Sequence, residues 1–320
     1  MWKRIDPHVH CRDWNEAYKS TIRDVMDLAR SQGVVAVLDM PNTDPPILGP
    51  EEVEARLRTA KERAVHSGYY VYVAATPDAR QLGRALAAAE NNDRVAGLKM
   101  YSAPMKGLEV SGLEEQHRVY RRLSESGYEG VIAVHCEKAQ LLRLELWNPE
   151  RPWSWGDARP PQAEVESIRD QIRLVEITDF RGTLYVVHTS TPEGVRLVNE
   201  AKERGLRVVC GVTPHHLMLS LEDMARPGGV FFKVNPPLRD KRLVGNLVGL
   251  VVQGLVDFLE TDHAPHAPWE KYGPPYMSGI RSLELYSRCV DFLLSQGASE
   301  RLLREMTYHR VKRVFPMVKE

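Results

Sequence analysis

Eight short runs rich in β-branched and aromatic residues alternate along the chain with longer stretches of helical periodicity. Most of the runs are apolar at consecutive positions, as expected of strands in a parallel sheet that is covered on both faces. They lie at residues 4–10, 34–40, 69–75, 95–101, 131–136, 184–189, 207–212 and 255–261. Eight strand–helix units predict an α/β fold of the (β/α)8 TIM-barrel type. A doubly wound open sheet is the alternative.

The stretches between the runs carry the usual signals of helix boundaries. Residues 22–29 repeat apolar side chains at i, i+3, i+4 and i+7, and Gly33 follows them. Pro50 and Pro192 stand where the first turn of a helix is expected. No G-x-G-x-x-G or phosphate-binding loop follows the first strand, which favours the barrel over an open nucleotide-binding sheet.

Length and charge limit the classes of function. The 320 residues carry 43 basic and 43 acidic side chains, so the chain has no basic surface for nucleic acid or an anionic membrane. A small-molecule substrate is the default expectation. We predict a single barrel domain over residues 1–320, without an accessory β-sandwich.

The cysteines and the first residues bear on the cellular compartment. Cys11, Cys136, Cys210 and Cys289 are scattered, with no C-x-x-C spacing, so neither a disulfide framework nor a cysteine zinc site is indicated. Residues 1–4 lead into a strand rather than into a signal-peptide core, and no apolar run is long enough to span a bilayer. The sequence predicts a cytoplasmic protein without a membrane segment.

Unusual polar side chains stand at the carboxyl ends of the predicted strands. His8 and His10 end the first strand, Asn42 follows the second, Lys99 ends the fourth, His135 the fifth and His188 the sixth, and Asp262, His263 and His266 follow the eighth. In a barrel these ends meet at one mouth. The set predicts a metal centre built from histidines, a lysine and a carboxylate.

Alternation of side chains along a strand supports the same centre. His8 and His10 share one face, and Arg12 continues the spacing. By the same rule His135, His188 and Asp262 share faces with the residues two positions before them. Taken singly, each histidine is as easily a satisfied core residue, and a histidine pair on one strand is often a mere polar patch.

Nine short segments follow one another along most of the chain. They are DPHVHCRD (6–13), DMPNTDPP (39–46), GLKMY (97–101), AVHCE (133–137), VVHTSTPEG (186–194), VTPHHL (212–217), KVNPPLR (233–239), ETDHAPH (260–266) and SGIRSLE (278–284). In these segments and in their order the chain resembles the amidohydrolase superfamily and, within it, the dihydroorotases. The resemblance implies reversible, zinc-dependent hydrolysis of the cyclic amide of dihydroorotate to N-carbamoyl-aspartate, in de novo pyrimidine (UMP) biosynthesis.

The resemblance also implies the ligands of two zinc ions per chain. His8, His10 and Asp262 would hold one ion and His135 and His188 the other, and a hydroxide together with carboxylated Lys99 would bridge them. An ammonium beside two cations is repelled, whereas a carbamate supplies oxygen ligands and negative charge. The alternative for Lys99 is an ion pair with a buried carboxylate such as Glu137.

The remaining roles follow from the same resemblance. Asp262 would be the catalytic acid and base, or else a purely structural metal ligand. Arg12, Asn42 and His266 would bind the ring carboxylate, since a guanidinium fork fits a planar carboxylate; Asn235 and Gly279 would contact the ring. The alternative for Arg12 is a surface ion pair with Asp13 or Glu16.

Several nearby features receive structural interpretations. His215 and His216 are interpreted as structural or supporting residues, and Cys11 and Cys136 as pointing away from the metals. Related eukaryotic enzymes can hold a further zinc through a cysteine and a glutamate. Here those positions are Val187 and Gly211, so a third zinc is not expected.

Two loops have expected roles. Residues 102–110 are either a substrate lid or a static connection, and residues 147–161 are expected to pack on the barrel rim.

Two other functions are alternatives for the chain. Another cyclic amidase, such as an allantoinase or hydantoinase, would share the zinc ions but not the Arg12 site. A non-catalytic homologue acting as a scaffold is the third candidate. Homodimer formation and association with another pyrimidine-pathway enzyme stay open.

Overall fold

The computed structural model describes residues 2–319. Its strands form one parallel sheet in which each strand pairs with the next along the chain, from β1 to β8. The strands are β1 (Arg4–Val9), β2 (Val34–Asp39), β3 (Tyr69–Ala74), β4 (Val95–Tyr101), β5 (Val131–His135), β6 (Thr183–Val186), β7 (Val208–Val212) and β8 (Phe258–Leu259). The predicted barrel is confirmed, in a nearly closed form.

The two edge strands meet through backbone hydrogen bonds just beyond β8. The amide of Asp262 donates to the carbonyl oxygen of His8 at 2.9 Å, and the amide of His10 donates to the carbonyl oxygen of His263 at 2.9 Å. A barrel has no free strand edge, so these bonds satisfy groups that would otherwise be exposed. They also bring the end of β8 beside the end of β1.

Helices connect the strands on the outside of the barrel. They are α1 (Ile22–Ser31), α2 (Pro50–Glu62), α3 (Ala79–Asn91), α4 (Leu113–Glu125), α5 (Ser154–Ala158), α6 (Pro161–Ile177), α7 (Pro192–Glu203), α8 (Pro214–Met218), α9 (Leu221–Met224), α10 (Lys241–Val252), α11 (Pro268–Tyr272), α12 (Tyr286–Ser295), α13 (Glu300–Arg304) and α14 (Arg310–Val314). The expected helix starts at Pro50 and Pro192 are confirmed, as is the buried face of α1. Within residues 2–319, no helix combines the length and apolar character needed to cross a bilayer.

Two apolar layers lie on opposite faces of the sheet. The outer layer joins strand residues such as Val73 to helix residues such as Val25. The inner layer fills the barrel near the amino ends of the strands, where Ile5 and Tyr70 pack with Phe315 from the C-terminal segment. The floor of the barrel is therefore closed by apolar side chains, and only the opposite end can hold a polar site.

The predicted bounds of two strands are wrong. The sixth strand stops at Val186 rather than at residue 189, and the eighth contains only Phe258 and Leu259. Non-glycine residues with positive φ follow both strands, namely His188 at 39° and Asp262 at 48°. This backbone conformation lies outside the β region, so regular pairing ends before these residues.

A buried ion pair fixes the segment between β1 and β2. The carboxylate of Asp39 accepts hydrogen bonds from the Arg56 guanidinium at 2.8 Å, the Tyr69 hydroxyl at 2.5 Å and the Cys11 amide at 2.8 Å. The side chains of Asp39 and Arg56 are both fully buried. Because Cys11 lies between His10 and Arg12, this network holds the backbone that carries both residues.

We predict that Arg56→Leu lowers the free energy of unfolding by about 3–5 kcal/mol, because it leaves the buried carboxylate of Asp39 without its cation. Urea denaturation monitored by circular dichroism measures the change. Arg23→Leu is the matched control, since it removes an exposed pair with Asp27 and should change stability little. Equal losses in the two variants would contradict this account of the Asp39 network.

Candidate active site

A polar cavity of about 80 Å³ opens at the carboxyl ends of the strands. All eleven site residues predicted from the sequence line it: His8, His10, Arg12, Asn42, Lys99, His135, His188, Asn235, Asp262, His266 and Gly279. The structure thus brings together residues that are up to 271 positions apart in sequence, from Gly279 back to His8.

His8, His10 and Asp262 form a group that can hold a metal ion. One potential ligand atom from each residue lies within 4.8 Å of the other two. Oδ1 of Asp262 is 3.2 Å from Nε2 of His8 and 2.9 Å from Nε2 of His10. All three residues are buried. A carboxylate and two imidazoles meeting at one point are typical ligands of a zinc-like cation.

Asn42 sets the orientation of one of these imidazoles. The Nδ1–H of His10 donates to Oδ1 of Asn42 at 2.8 Å. The proton on Nδ1 leaves Nε2 with a lone pair, and that lone pair faces the Asp262 carboxylate. Two electron-rich atoms at this distance repel each other unless a cation or a proton lies between them, so the contact fits a metal ion.

A second imidazole pair lies beside the first. Nδ1 of His135 is 3.0 Å from Nε2 of His188, and the ring of His188 is 5.2 Å from that of His8. Nε2–H of His135 donates to the Glu137 carboxylate at 2.8 Å. As with His10, the outer nitrogen is tied to an acceptor and the inner nitrogen presents a lone pair to the cavity.

Glu137 is a functional residue that the sequence prediction treated only as a partner for Lys99. Its carboxylate pairs instead with the buried guanidinium of Arg159, with contacts of 3.0 and 3.1 Å from Nε. Burial by itself would raise the pKa of Glu137, but Arg159 and the hydrogen bond from His135 outweigh it and lower that pKa to about 2. Glu137 is therefore an anion that orients His135.

The alternation argument fails at His188, although the residue does reach the cavity. Val187 belongs to the inner layer and Val186 to the outer one, so strict alternation would turn His188 outward. Its positive φ of 39° redirects the chain, and its amide donates to the carboxylate of Glu260. The sequence carries no local signal for this turn.

Glu260 is a buried acid that sequence reasoning did not assign to the site. Its Oε2 lies 3.8 Å from Nδ1 of His8, and burial raises its pKa well above the ordinary value. Space for its carboxylate comes from Gly211, where an added Cβ would lie 2.5 Å from the Glu260 side chain. Gly211, which stands where related eukaryotic enzymes have a zinc-binding glutamate, therefore makes room for the Glu260 side chain.

Lys99 extends from β4 into the cavity without a hydrogen-bonding partner for its amine among the described residues. The predicted alternative of an ion pair with Glu137 is wrong. Burial lowers the pKa of Lys99 to about 8, against the attraction of Asp262 and Glu260. Nδ1 of His8 and Nδ1 of His188 are likewise buried, with no hydrogen-bond partner within residues 2–319. Buried nitrogen atoms are normally hydrogen-bonded, so a cluster of three without partners indicates that a bound ligand completes the site. Metal ions bound in the cavity would do so.

Arg12 and His266 form the other side of the cavity. Nη2–H of Arg12 donates to Nε2 of His266 at 3.0 Å, and Nε–H of Arg12 donates to the carbonyl oxygen of Pro265 at 3.0 Å. Arg12 is buried rather than part of a surface ion pair, and its closest carboxylate contact is Glu16 at 3.7 Å. Asp13 pairs with Arg63 instead.

Asn235 and Gly279 lie on two neighbouring loops of the rim, which are joined by a backbone hydrogen bond from Gly279 to Lys233. Oδ1 of Asn235 accepts a hydrogen bond from the Trp155 indole at 3.0 Å, which shows that the 147–161 segment packs on the rim as predicted. Gly279 has φ 152°, and a Cβ there would lie 2.5 Å from the carbonyl oxygen of Ala264. Only glycine allows this close approach of the two backbones.

The loop at residues 102–110 contributes Met105 and Lys106 to the cavity wall. The ammonium of Lys106 contacts the Glu16 carboxylate at 2.7 Å, and Asn42 donates to the sulfur of Met105 at 3.3 Å. These contacts join the loop to the segment after β1. Closure of this loop over a substrate stays a prediction.

The histidines of the 212–217 motif differ from the cavity histidines. His216 bonds to Thr213 and to the carbonyl oxygen of Pro236. His215 is buried, and in the part of the chain that the structure describes neither of its ring nitrogens has a hydrogen-bond partner. Neither lines the cavity. Cys11 and Cys136 lie in the outer apolar layer, away from the cavity, as predicted.

Comparisons with known proteins agree with this architecture. A dihydroorotase of Aeropyrum pernix is 34% identical over 85% of this chain and 59% of that protein. A dihydroorotase of Carboxydothermus hydrogenoformans is 31% identical over 96% of this chain and 70% of that protein. An L-hydantoinase (dihydropyrimidinase) structure from Arthrobacter aurescens superposes with a TM-score of 0.87 at 22% identity, covering 98% of this chain and 70% of that one. No protein-family model matches the chain.

The parallel barrel and the buried group of two histidines and a carboxylate at its mouth define the class of protein: a (β/α)8 barrel with a candidate metal site. The structural likeness at 22% identity carries the fold alone, whereas the sequence relatives carry the family. The chain belongs to the dihydroorotase family. It spans about six tenths of the length of the curated relatives it matches first, 59% in the case of the Aeropyrum protein.

We predict that the charge of Glu16 stabilises the rim in a pH-dependent way. Burial alone would raise its pKa, but Arg12, Lys106 and Lys19 lower it to about 2, below the ordinary value of 4.5. A carboxyl group whose pKa is lower in the folded state stabilises the protein above its ordinary pKa. That contribution is lost as the pH falls from 4.5 towards 2.

Urea denaturation of the native chain and of Glu16→Gln, from pH 7 to pH 3, tests this. The difference in unfolding free energy should be constant down to about pH 5 and should shrink below pH 4.5. Asp27→Asn is the control, because Asp27 is exposed and its pairs with Arg23 and Arg30 are open to solvent. A Glu16→Gln difference that does not change with pH is the contrary result.

Proposed function

We propose that this chain is a zinc-dependent dihydroorotase that reversibly hydrolyses the cyclic amide of dihydroorotate to N-carbamoyl-aspartate in pyrimidine biosynthesis. One observation carries the proposal: a metal-binding group of His8, His10 and Asp262 shares an 80 Å³ cavity with the buried guanidinium of Arg12. The first feature suits amide hydrolysis and the second suits a substrate with a carboxylate. The names of the sequence relatives support the same activity.

The proposed cofactor is a pair of zinc ions. His8, His10 and Asp262 would hold one ion, and His135 and His188 would hold the other. The inner lone pairs of His10 and His135 support this, since each outer nitrogen donates to a fixed acceptor. Bound zinc supplies Lewis acidity for the amide carbonyl and an acidified water for the attack.

Lys99 is proposed to bridge the two ions as a carbamate. Its neutral amine would add to carbon dioxide with loss of one proton, which converts a buried cation into an anion with two oxygen ligands. Burial without any hydrogen-bond partner supports this change, because an ammonium in that position has no acceptor. The carbamate would also balance part of the charge of the metal ions.

Asp262 is proposed to move the proton during hydrolysis. Its carboxylate faces the imidazoles of His8 and His10 and lines the cavity, so it can take a proton from the attacking water and give it to the departing ring nitrogen. The transfer leaves the nitrogen as the terminal NH2 of the carbamoyl group of the product and returns the Asp262 carboxylate to its anionic form.

Arg12 is proposed to bind the ring carboxylate, with His266 beside it. Its Nε–H and one Nη2–H are used by Pro265 and His266, and the remaining N–H groups are available to a ligand. These two bonds hold the guanidinium plane in place before substrate arrives, which reduces the entropy lost on binding. Asn42 is proposed to serve mainly through His10, and Asn235 and Gly279 to line the ring.

The compartment and assembly are part of the same proposal. All four cysteines are free thiols in buried positions. This supports a reducing, cytoplasmic location, since secreted proteins of this size commonly pair such residues. The mass of the protein in solution would test the two predicted associations, a homodimer and a complex with another enzyme of the pathway.

The decisive experiment is turnover by the purified, zinc-loaded chain. We expect hydrolysis of dihydroorotate to exceed that of hydantoin and allantoin, with two zinc ions per chain by mass spectrometry of the native protein. Asp262→Asn is the matched control and should lower kcat by roughly a hundredfold or more. Faster turnover of hydantoin or allantoin than of dihydroorotate would indicate that the chain is another cyclic amidase. A chain that takes up no zinc and turns over none of these substrates would indicate a non-catalytic homologue.

We further predict that Arg12→Lys raises KM for dihydroorotate by about tenfold or more, because an ammonium cannot reproduce the planar fork of a guanidinium. The kcat should change less, since Arg12 lies away from the proposed proton path. Steady-state kinetics measures both constants. Arg63→Lys, at a partly exposed pair with Asp13, is the control and should leave KM unchanged. An unchanged KM in Arg12→Lys would remove the carboxylate assignment.

A further inference from the structure

Two buried lysines lie directly behind the cavity wall and have no role in the proposed mechanism. Lys233 precedes Val234 and Asn235, which line the cavity, and Lys271 lies on α11. Both side chains are buried. Within residues 2–319, neither ammonium forms an ion pair with a carboxylate, in contrast to Lys19, which contacts both Glu16 and Glu270.

Lys271 joins the two loops that form this wall. Its ammonium donates to the carbonyl oxygen of Lys233 at 3.0 Å and to that of Gly279 at 2.7 Å. The amide of Gly279 donates to the same Lys233 oxygen at 2.9 Å. Neighbouring Trp269 and Tyr272 are exposed, so α11 turns its charged residue inward and its aromatic residues outward.

Like Lys271, Lys233 donates a hydrogen bond from its ammonium to a backbone carbonyl oxygen. Its ammonium donates to the carbonyl oxygen of Tyr276 at 2.6 Å. It also lies 4.1 Å from the centre of the Trp155 ring and 4.7 Å from that of Trp147. Carbonyl oxygens and aromatic faces attract a cation but carry no net charge, so they leave the positive charge of Lys233 unbalanced.

The surroundings add further positive charge. Burial lowers the pKa of Lys271 to about 7 and that of Lys233 to about 8, and the charges of Lys233 and Arg12 act in the same direction on Lys271. Among the described residues, the ion pairs of Arg12, Lys19 and Lys106 on this side are shared between two carboxylates, Glu16 and Glu270. Buried charges in proteins are normally paired. An anionic ligand is the partner that this arrangement lacks.

We propose that Lys233 and Lys271 are specificity-determining residues that make the cavity favour ligands with two carboxylates over ligands with one. The inference rests on the proposed function and adds the charge class of the ligand. Ring opening of dihydroorotate turns a monoanion into a dianion. The ammoniums of Lys233 and Lys271 would therefore increase the affinity for the open product, in addition to the attraction of the Arg12 guanidinium. Since the Coulomb attraction grows with ligand charge, removing one ammonium weakens a dianion more than a monoanion.

Calorimetry with two ligands of the same backbone tests this. N-Acetyl-L-aspartate carries two carboxylates, and N-acetyl-β-alanine carries one; neither has the ureido nitrogen that ring closure requires, so neither is converted. Binding is measured at pH 6, where both ammoniums are charged, in zinc-loaded chains that keep Asp262. In Lys271→Met and in Lys233→Met we expect Kd to rise by about tenfold for the dicarboxylate and by about threefold for the monocarboxylate.

Two further variants separate charge from packing. Lys271→Arg keeps the charge and should keep the preference for the dicarboxylate, even if the altered hydrogen bonds lower thermal stability. Lys202→Met removes a lysine that pairs with Asp257 at the amino end of β8 and should change neither Kd. Because the preference is a ratio of two Kd values on one preparation, a loss of folded protein does not affect it.

The outcomes are distinct from those of the activity assay. A preference for the dicarboxylate that stays the same in both methionine variants overturns the inference, as does a parent chain that binds neither ligand. Failure of the proposed function is detected separately, by the absence of dihydroorotate turnover in the zinc-loaded chain with Asp262 intact.

Discussion

The pairing between the end of β8 and the end of β1 is the constraint on which the site depends. Two backbone hydrogen bonds, from Asp262 to His8 and from His10 to His263, join segments separated by about 250 residues. They place the Asp262 carboxylate against two imidazoles in the same step that closes the barrel edge. The fold and the metal-binding group are therefore stabilised by the same contacts, and a change that opens this edge would separate the ligands as well.

Burial of charge explains how the rest of the mouth is organised. Asp39 and Glu137 are each matched with a buried guanidinium, from Arg56 and Arg159, and each also fixes a neighbour of the site. Asp39 holds the backbone amide of Cys11, and Glu137 holds the imidazole of His135. The buried ammoniums of Lys99, Lys233 and Lys271 lie in the cavity or its wall, where metal ions and an anionic ligand are proposed to complete the charge balance.

Strand periodicity gives the wrong explanation for the inward position of His188. Alternation predicted that His188 would share a face with Val186, yet Val186 packs outward and His188 turns inward because of its positive φ. Arg12, Lys106 and Asp262 also line the cavity with positive φ. Such backbone conformations in non-glycine residues are unfavourable and persist where the surroundings impose them, which is common at functional sites. They are not visible in local sequence patterns.

Periodicity, the chemistry of proline and the rule that the carboxyl ends of parallel strands share one side were enough to predict the barrel, the helix starts at Pro50 and Pro192, and the histidines, Lys99 and Asp262 at the mouth. Asn235 and Gly279 were predicted only through the family resemblance. The contacts between side chains depend on the folded chain: Glu137 pairs with Arg159 rather than with Lys99, Gly211 makes room for Glu260, and Lys233 and Lys271 lie behind the wall without a carboxylate partner among the described residues. These contacts join residues distant in sequence, and their geometry depends on backbone turns and burial that no local pattern encodes.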